Sequence, residues 1–224
     1  MHLVKVTPPA IEPITLGEAK LHLRVDFDTD DALIQTFISA AREVAESYVK
    51  QAFITQTWKL LLDFFPTAGG YFNPAVRQIW SSLGGFPSGV GPYPGMLPNS
   101  GGVIFIPKAP LQSITSIQYY DLNNTLQTVD PSVYTVIAAT PGQVQPNYGK
   151  IWPYTRPTAG AIQITFVAGY GDSAATIPAA IKAAMKLMIG NWYENRESVV
   201  AGSYVELPMA VTALLASAEH GGYG

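Results

Sequence analysis

The sequence predicts an α+β protein: an α-helical bundle formed by N- and C-terminal helices, with a β-rich insertion between them. Three observations predict it. Apolar residues recur every three to four positions near both ends of the chain, which is the period of a helix with one buried face. In the middle they recur every second position, the period of a half-buried strand. Neither terminal helical pair is long enough to bury its stripe alone, so the two ends are expected to share one core. The expected organisation is 1–54 for the N-terminal helical part, 55–172 for the insertion and 173–224 for the closing helices and tail.

Residues 1–14 read as extended. Thr15 with Glu18 three residues later is a capping box, and Leu16, Ala19, Leu21 and Leu23 form a short helix behind it. An acidic turn at 26–31 precedes a longer helix at 30–50, whose stripe is Leu33, Ile34, Phe37, Ile38, Ala41, Val44, Ala45 and Tyr48. Asp30 and Asp31 at its start and Lys50 at its end suit the helix dipole. The period then changes. Strands are expected at 55–64, 103–106, 113–120, 125–129, 134–138 and 161–168, with a hairpin turn at 122–125. The stretch 150–157, holding Trp152, Tyr154 and two prolines, reads as an irregular connection.

The stretch 66–102 is different in kind. It is rich in glycine, carries prolines at 74, 87, 92, 94 and 98, and interleaves Tyr71, Phe72, Trp80, Phe86 and Tyr93. Its one charged residue is Arg77. A loop this long is uncommon in a compact domain, and disorder alone would favour charge over aromatics, so it reads as an arm that orders on a partner. Near the C-terminus, 176–197 is the strongest helix: Thr176 to cap, Pro178 in the first turn, then Ile181, Ala184, Met185, Met188, Ile189 and Trp192 on one face. A short apolar helix follows with Pro208 in its first turn, and 221–224 is a flexible tail.

Composition narrows function. Hydrophobic residues make up 48% and charged residues only 13%, about half the usual charged share, so surface should be hidden in partners. A net charge of −3 argues against a basic nucleic-acid-binding face. Cysteine is absent, which removes disulfides and thiolate metal sites. The N-terminus lacks the apolar run of a signal peptide, and no stretch approaches the roughly 18 apolar residues of a membrane span, so a soluble protein made in a cytoplasm is expected. His2, His22 and His220 lie beside no candidate nucleophile, and neither a nucleophile elbow nor a nucleotide-binding glycine loop is present. The 26–31 turn opens like a calcium loop, but Asp31 stands where the sharp turn needs glycine, and Phe37 where a bidentate glutamate belongs. No catalytic, cofactor or metal residue is assigned, and the chain reads as a non-enzyme.

Several stretches, taken in order, carry a resemblance. They are Glu12-Pro-Ile-Thr-Leu-Gly-Glu-Ala-Lys20, Leu23-Arg-Val-Asp26, Asp31-Ala-Leu-Ile34, Ala40-Ala-Arg42, Ile54-Thr-Gln-Thr-Trp58 and Pro110-Leu-Gln-Ser-Ile114. Ala168-Gly-Tyr-Gly171, Ile177-Pro-Ala-Ala-Ile-Lys182, Asn191-Trp-Tyr-Glu-Asn-Arg-Glu197 and Leu207-Pro complete the set. Together they resemble the head–tail connector (adaptor) proteins of long-tailed phages and gene transfer agents. The resemblance implies a structural virion protein at the neck: a dodecameric ring below the portal protein, facing a tail-side stopper or tail terminator. It implies that DNA passes through the ring without sequence-specific binding, and that neither membrane nor cofactor is involved. By resemblance the portal contact falls on the C-terminal part, with Leu207, Met209, Val211, Leu214, Leu215 and Tyr223 as candidates. Candidates for intersubunit or tail-side contact are Tyr71, Phe72, Trp80, Phe86, Tyr93, Glu194, Arg196 and Glu197. The 66–102 stretch is longer and richer in glycine than the resemblance leads one to expect. The competing readings are a tail-associated receptor- or glycan-binding module using the aromatic stretch, and a hydrolase with a scattered site.

Overall fold

The computed structural model describes residues 1–66, 102–195 and 209–218. The chain divides into two compact units: 1–7 with 57–167, and 8–56 with 168–224.

The first unit is built from strands. A five-stranded sheet has the order β1 (His2–Thr7), β2 (Gln56–Leu62), β8 (Ile162–Ala168), β4 (Leu111–Tyr120), β5 (Leu126–Thr128). A three-stranded sheet has the order β3 (Ile104–Ile106), β7 (Gly142–Pro146), β6 (Tyr134–Ile137). On β2 the buried set is Trp58, Leu60 and Leu62, and on β8 it is Ile162, Ile164 and Phe166; both strands alternate as a sheet with one apolar face must. β1 runs antiparallel to β2, pairing Val4 with Lys59 and Leu3 with Leu60. This corrects the expected N-terminal boundary at residue 1: the first seven residues complete the sheet instead of the helical part. The β4–β5 hairpin turns where expected, because the Asp121 carboxylate accepts from the amides of Asn123 and Thr125 while Asn124 takes a left-handed φ of 63°. The strand β7 falls outside the strands expected from the sequence.

The second unit is helical: α1 (Leu16–Leu23), α2 (Asp31–Tyr48), α3 (Ala179–Glu194) and α4 (Met209–Ala218). The α1 capping box is complete, with the Thr15 hydroxyl accepting from the Glu18 amide at 3.2 Å and Glu18 accepting from the Thr15 amide at 2.9 Å. One apolar cluster draws on Ile34, Ile38, Ala41 and Ala45 of α2, on Ile181, Met185, Met188 and Ile189 of α3, and on Val211 and Leu215 of α4. Helix α3 packs against α1, α2 and α4. Leu21 is 82% exposed, since an eight-residue helix turns only two residues, Leu16 and Leu23, toward the core beside the buried Ala19. One detail departs from expectation. Thr176 does not cap α3: it closes a separate 3₁₀ turn, Ala174–Thr176, and α3 begins after Pro178 with no side-chain cap. Gly169 joins β8 to this unit at a φ of 140°, and a Cβ there would lie 2.6 Å from the Ile54 carbonyl oxygen. No described helix is long and apolar enough to cross a membrane.

Candidate functional site

With no catalytic constellation expected, the functional residues to place are those proposed for contact. The C-terminal end of α3 divides cleanly. Trp192 packs against Phe37 of α2 with ring centroids 6.1 Å apart, and both are partly buried against the helical core. The Tyr193 hydroxyl donates to the Asp30 carboxylate at 2.6 Å, tying this end to the start of α2. Glu194, one residue on, is exposed. Arg196 and Glu197 lie outside the described residues.

Helix α4 separates in the same way. Val211 and Leu215 are fully buried in the core, so they hold the helix down and present nothing to a partner. Leu214 is partly buried against the same cluster, and Met209 is 87% exposed. The physical reason is the short length of α4: its ten residues spend one face on the core. Among the described candidates of α4, Met209 and the rim of Leu214 are the ones left uncovered. Leu207 and Tyr223 fall outside the described residues, as do Tyr71, Phe72, Trp80, Phe86 and Tyr93.

The helical unit also holds a buried polar network. Arg42 donates from Nε to Glu12 at 2.8 Å and from Nη1 to Glu46 at 3.4 Å, four residues along α2. The other oxygen of Glu46 accepts from the Phe53 amide at 2.9 Å and from the Gln56 side chain at 2.6 Å. Burial alone would lower the Arg42 pKa; the hydrogen bond to Glu12 and the charges of Glu12, Glu46 and Glu43 outweigh it and hold the guanidinium above its ordinary value. This network fastens the chain as it leaves α2. The sequence signal for it was an Arg–Glu pair at i, i+4 set among the apolar positions of the stripe. Nearby, Lys20 bridges Asp28 and Asp31 at 2.7 and 2.8 Å, so one lysine holds two of the four aspartates of the 26–31 turn. Among the described residues, no group of three or more His, Cys, Asp or Glu side chains is arranged to hold a metal ion.

The strand unit carries a cleft of about 230 Å³ lined by Tyr119, Asp130, Val133, Ile151, Trp152 and Tyr154, among others. Trp152 is its inner wall. Phe65 stacks on the indole at 4.7 Å with the rings 4° from parallel, and the indole Nε1 donates to the Gly102 carbonyl at 2.6 Å. Asp130 is the charged group of the lining, and the backbone amide and hydroxyl of Ser132 keep its pKa below the ordinary value.

Comparison with known proteins gives this arrangement a context. A family model described as "Phage gp6-like head-tail connector protein" matches residues 13–79. The fold is that of chains in gene transfer agent (GTA) particles. One, from the neck of an empty GTA particle computed with C6 symmetry, superposes with a TM-score of 0.69 at 21% identity, over 97% of this chain and 94% of the other. A chain of the virion of a native GTA particle gives 0.66, and one from the neck of a native GTA particle computed with C12 symmetry gives 0.63, both at 21% identity and the same coverage. No curated protein matches the chain. The sequence resemblance to head–tail connectors and the structural likeness to neck chains therefore agree.

Proposed function

We propose that this protein is a structural, non-enzymatic virion component: a head–tail connector that forms a ring below the portal, extends the DNA channel and joins capsid to tail. The observation that carries the reading is the fold match to neck chains, which runs over almost the whole of both partners. The family-model match at 13–79 supports it independently. In this reading the two chain ends form one helical bundle, supported by the single apolar cluster that unites residues before 55 with residues after 176. The ring has twelve copies, as the C12 neck would accommodate. Portal contact runs through Met209 and Leu214, and through Leu207 and Tyr223. Glu194, Arg196 and Glu197 pair with a neighbouring copy, and the aromatics of 66–102 contact a neighbour or the tail-side ring. A weakly acidic ring lets DNA slide, because phosphate contacts would hold it.

The test is assembly. The protein is mixed with portal and imaged by electron microscopy, with mass photometry as the count. Twelve-fold rings seated on the portal are expected, as is loss of that assembly without unfolding when 68–100 is deleted. A folded protein that neither forms a ring nor joins the portal overturns the reading.

A further inference from the structure

We propose that the Trp152 cleft is the docking site for the proline-bearing segment 67–101 of a second copy of this chain. The inference rests on the ring reading above and adds to it the residues by which neighbours hold each other.

The cleft has the chemistry of a proline-recognition groove. Such grooves are lined by aromatic rings and accept extended, proline-rich chain, whose ordering cost is already low. Here Tyr119 and Tyr154 supply rings, Ile151 and Pro153 the aliphatic wall, and Trp152, only 8% exposed with Phe65 and Tyr134 stacked against it, the floor. Ile151 is 72% exposed and Tyr154 81%, an apolar rim left open to water on a chain already poor in charge. The segment matches it. It offers prolines at 74, 87, 92, 94 and 98 interleaved with aromatic residues, including Pro92-Tyr93-Pro94. Charge matches as well: the segment carries Arg77 alone, and the cleft lining carries Asp130 alone.

The position of the segment argues for a neighbour as its source. It leaves after Phe65 and Pro66 and returns at Gly102, and both ends are fixed to Trp152. One face of the indole and its N–H are thus spent on the protein's own stem, so the inner wall is already occupied from within. Each limb, about 17 residues long, could span up to ~60 Å when extended, ample to reach an adjacent subunit. Arm and cleft on one protomer make a heterologous pair, in which every copy gives one arm and receives one. A contact of that kind closes into a ring with no cleft left unfilled.

The experiment is a photo-cross-link from the exposed rim. Benzoylphenylalanine replaces Tyr154 in one variant and Ile151 in a second, each in the full chain. Isotopically light and heavy copies are mixed before assembly on the portal, and cross-linked peptides are identified by mass spectrometry. The expected result joins position 154 or 151 to a peptide within 67–101, with mixed-isotope pairs as frequent as same-isotope pairs. Same-isotope pairs alone would mean that each copy fills its own cleft, and would overturn the proposal. So would rings that form normally while cross-linking elsewhere or not at all; the connector reading would then stand without this contact. Failure of the unsubstituted protein to assemble on the portal overturns both.

Discussion

Replacing Arg42 by methionine tests the buried network most directly. Methionine keeps an unbranched apolar stem of similar reach, so the change removes charge and hydrogen bonds with little loss of packing. Three carboxylates lose their cation, of which Glu43 is 65% exposed and loses little. The Glu12 side chain is 32% exposed and regains water, which limits that loss to about 1 kcal/mol. The Glu46 side chain is 4% exposed and cannot. Leaving a buried charge without its partner costs about 3–5 kcal/mol, and the amide of Phe53 and the amide group of Gln56, which still donate to Glu46, hold the cost to the lower end. The expected destabilisation of the helical unit is therefore about 3–4 kcal/mol. Because the chain has two compact units, one melting temperature would average them. Hydrogen exchange read on separate peptides resolves this: protection should fall across 38–56 and stay unchanged across 111–120 and 162–168. Adding Glu46→Gln to Arg42→Met removes the stranded charge and should recover at least ~1 kcal/mol, a non-additivity that only direct coupling produces. A single variant within ~1 kcal/mol of the parent, or a double variant less stable than the single, would refute the reasoning.

Three further outcomes follow from the same structure. Gly169→Ala forces a side chain into the φ 140° region and places Cβ against the backbone of Ile54 and Thr55, so a loss of roughly 1–3 kcal/mol from strain alone is expected, read as a lower urea midpoint. Thr15→Ala removes the α1 cap and should cost about 1 kcal/mol at neutral pH. The hydrogen bond with the Thr15 amide, chiefly, holds the Glu18 pKa below its ordinary value of 4.5. A depressed carboxylate stabilises above its unfolded pKa and loses that contribution as pH falls through the lower folded one. The stability gap between parent and Glu18→Gln should accordingly narrow below pH 4.5, and a gap constant down to pH 2.5 would contradict the capping-box assignment. Met209→Asp, at an exposed position, should leave the urea midpoint within ~0.5 kcal/mol of the parent and weaken portal binding at least tenfold; unchanged portal affinity would remove α4 from the contact.

How much of this was legible in the sequence depends on the length over which a period repeats. Helix α2 repeats its stripe for five turns, so Ile34, Ile38, Ala41 and Ala45 were readable as its core, whereas Tyr48 of the same stripe is exposed and the buried Arg42 and Glu46 carried no apolar signal. Helix α1 has two turns, too few to fix which leucine turns inward, and Leu21 came out exposed. Strand β7 was hidden because Gly142-Gln-Val-Gln-Pro146 offers one apolar residue between two turn formers. Its glycine is explained only in space, where a Cβ would lie 2.5 Å from a methyl carbon of Leu111. The Trp152 cleft had no sequence signature at all. Its walls come from 119, from 128–133 and from 151–154, pieces joined by sheet topology and not by any spacing.

Core and contact compete for the same scarce residues in this chain. Charged side chains are few, and several are already committed: Lys20 to Asp28 and Asp31, Arg42 to Glu12 and Glu46, Asp121 and Asp130 to their turns. Apolar and aromatic residues are the larger resource, 48% of the chain against 13% charged. Where such residues could be assigned, each helix divides them by position. Val211 and Leu215 go inward while Met209 faces out; Trp192 and Tyr193 hold the end of α3 while Glu194 is left exposed. A contact surface made from these leftovers is individually weak at each point, since isolated exposed apolar residues bury little area. Repetition around a ring is the physical remedy, because many small identical contacts close together and each added copy completes two interfaces. The sparse charge of the sequence is what the ring reading would lead one to expect, since copies and partners that cover a subunit leave less of its surface to be charged.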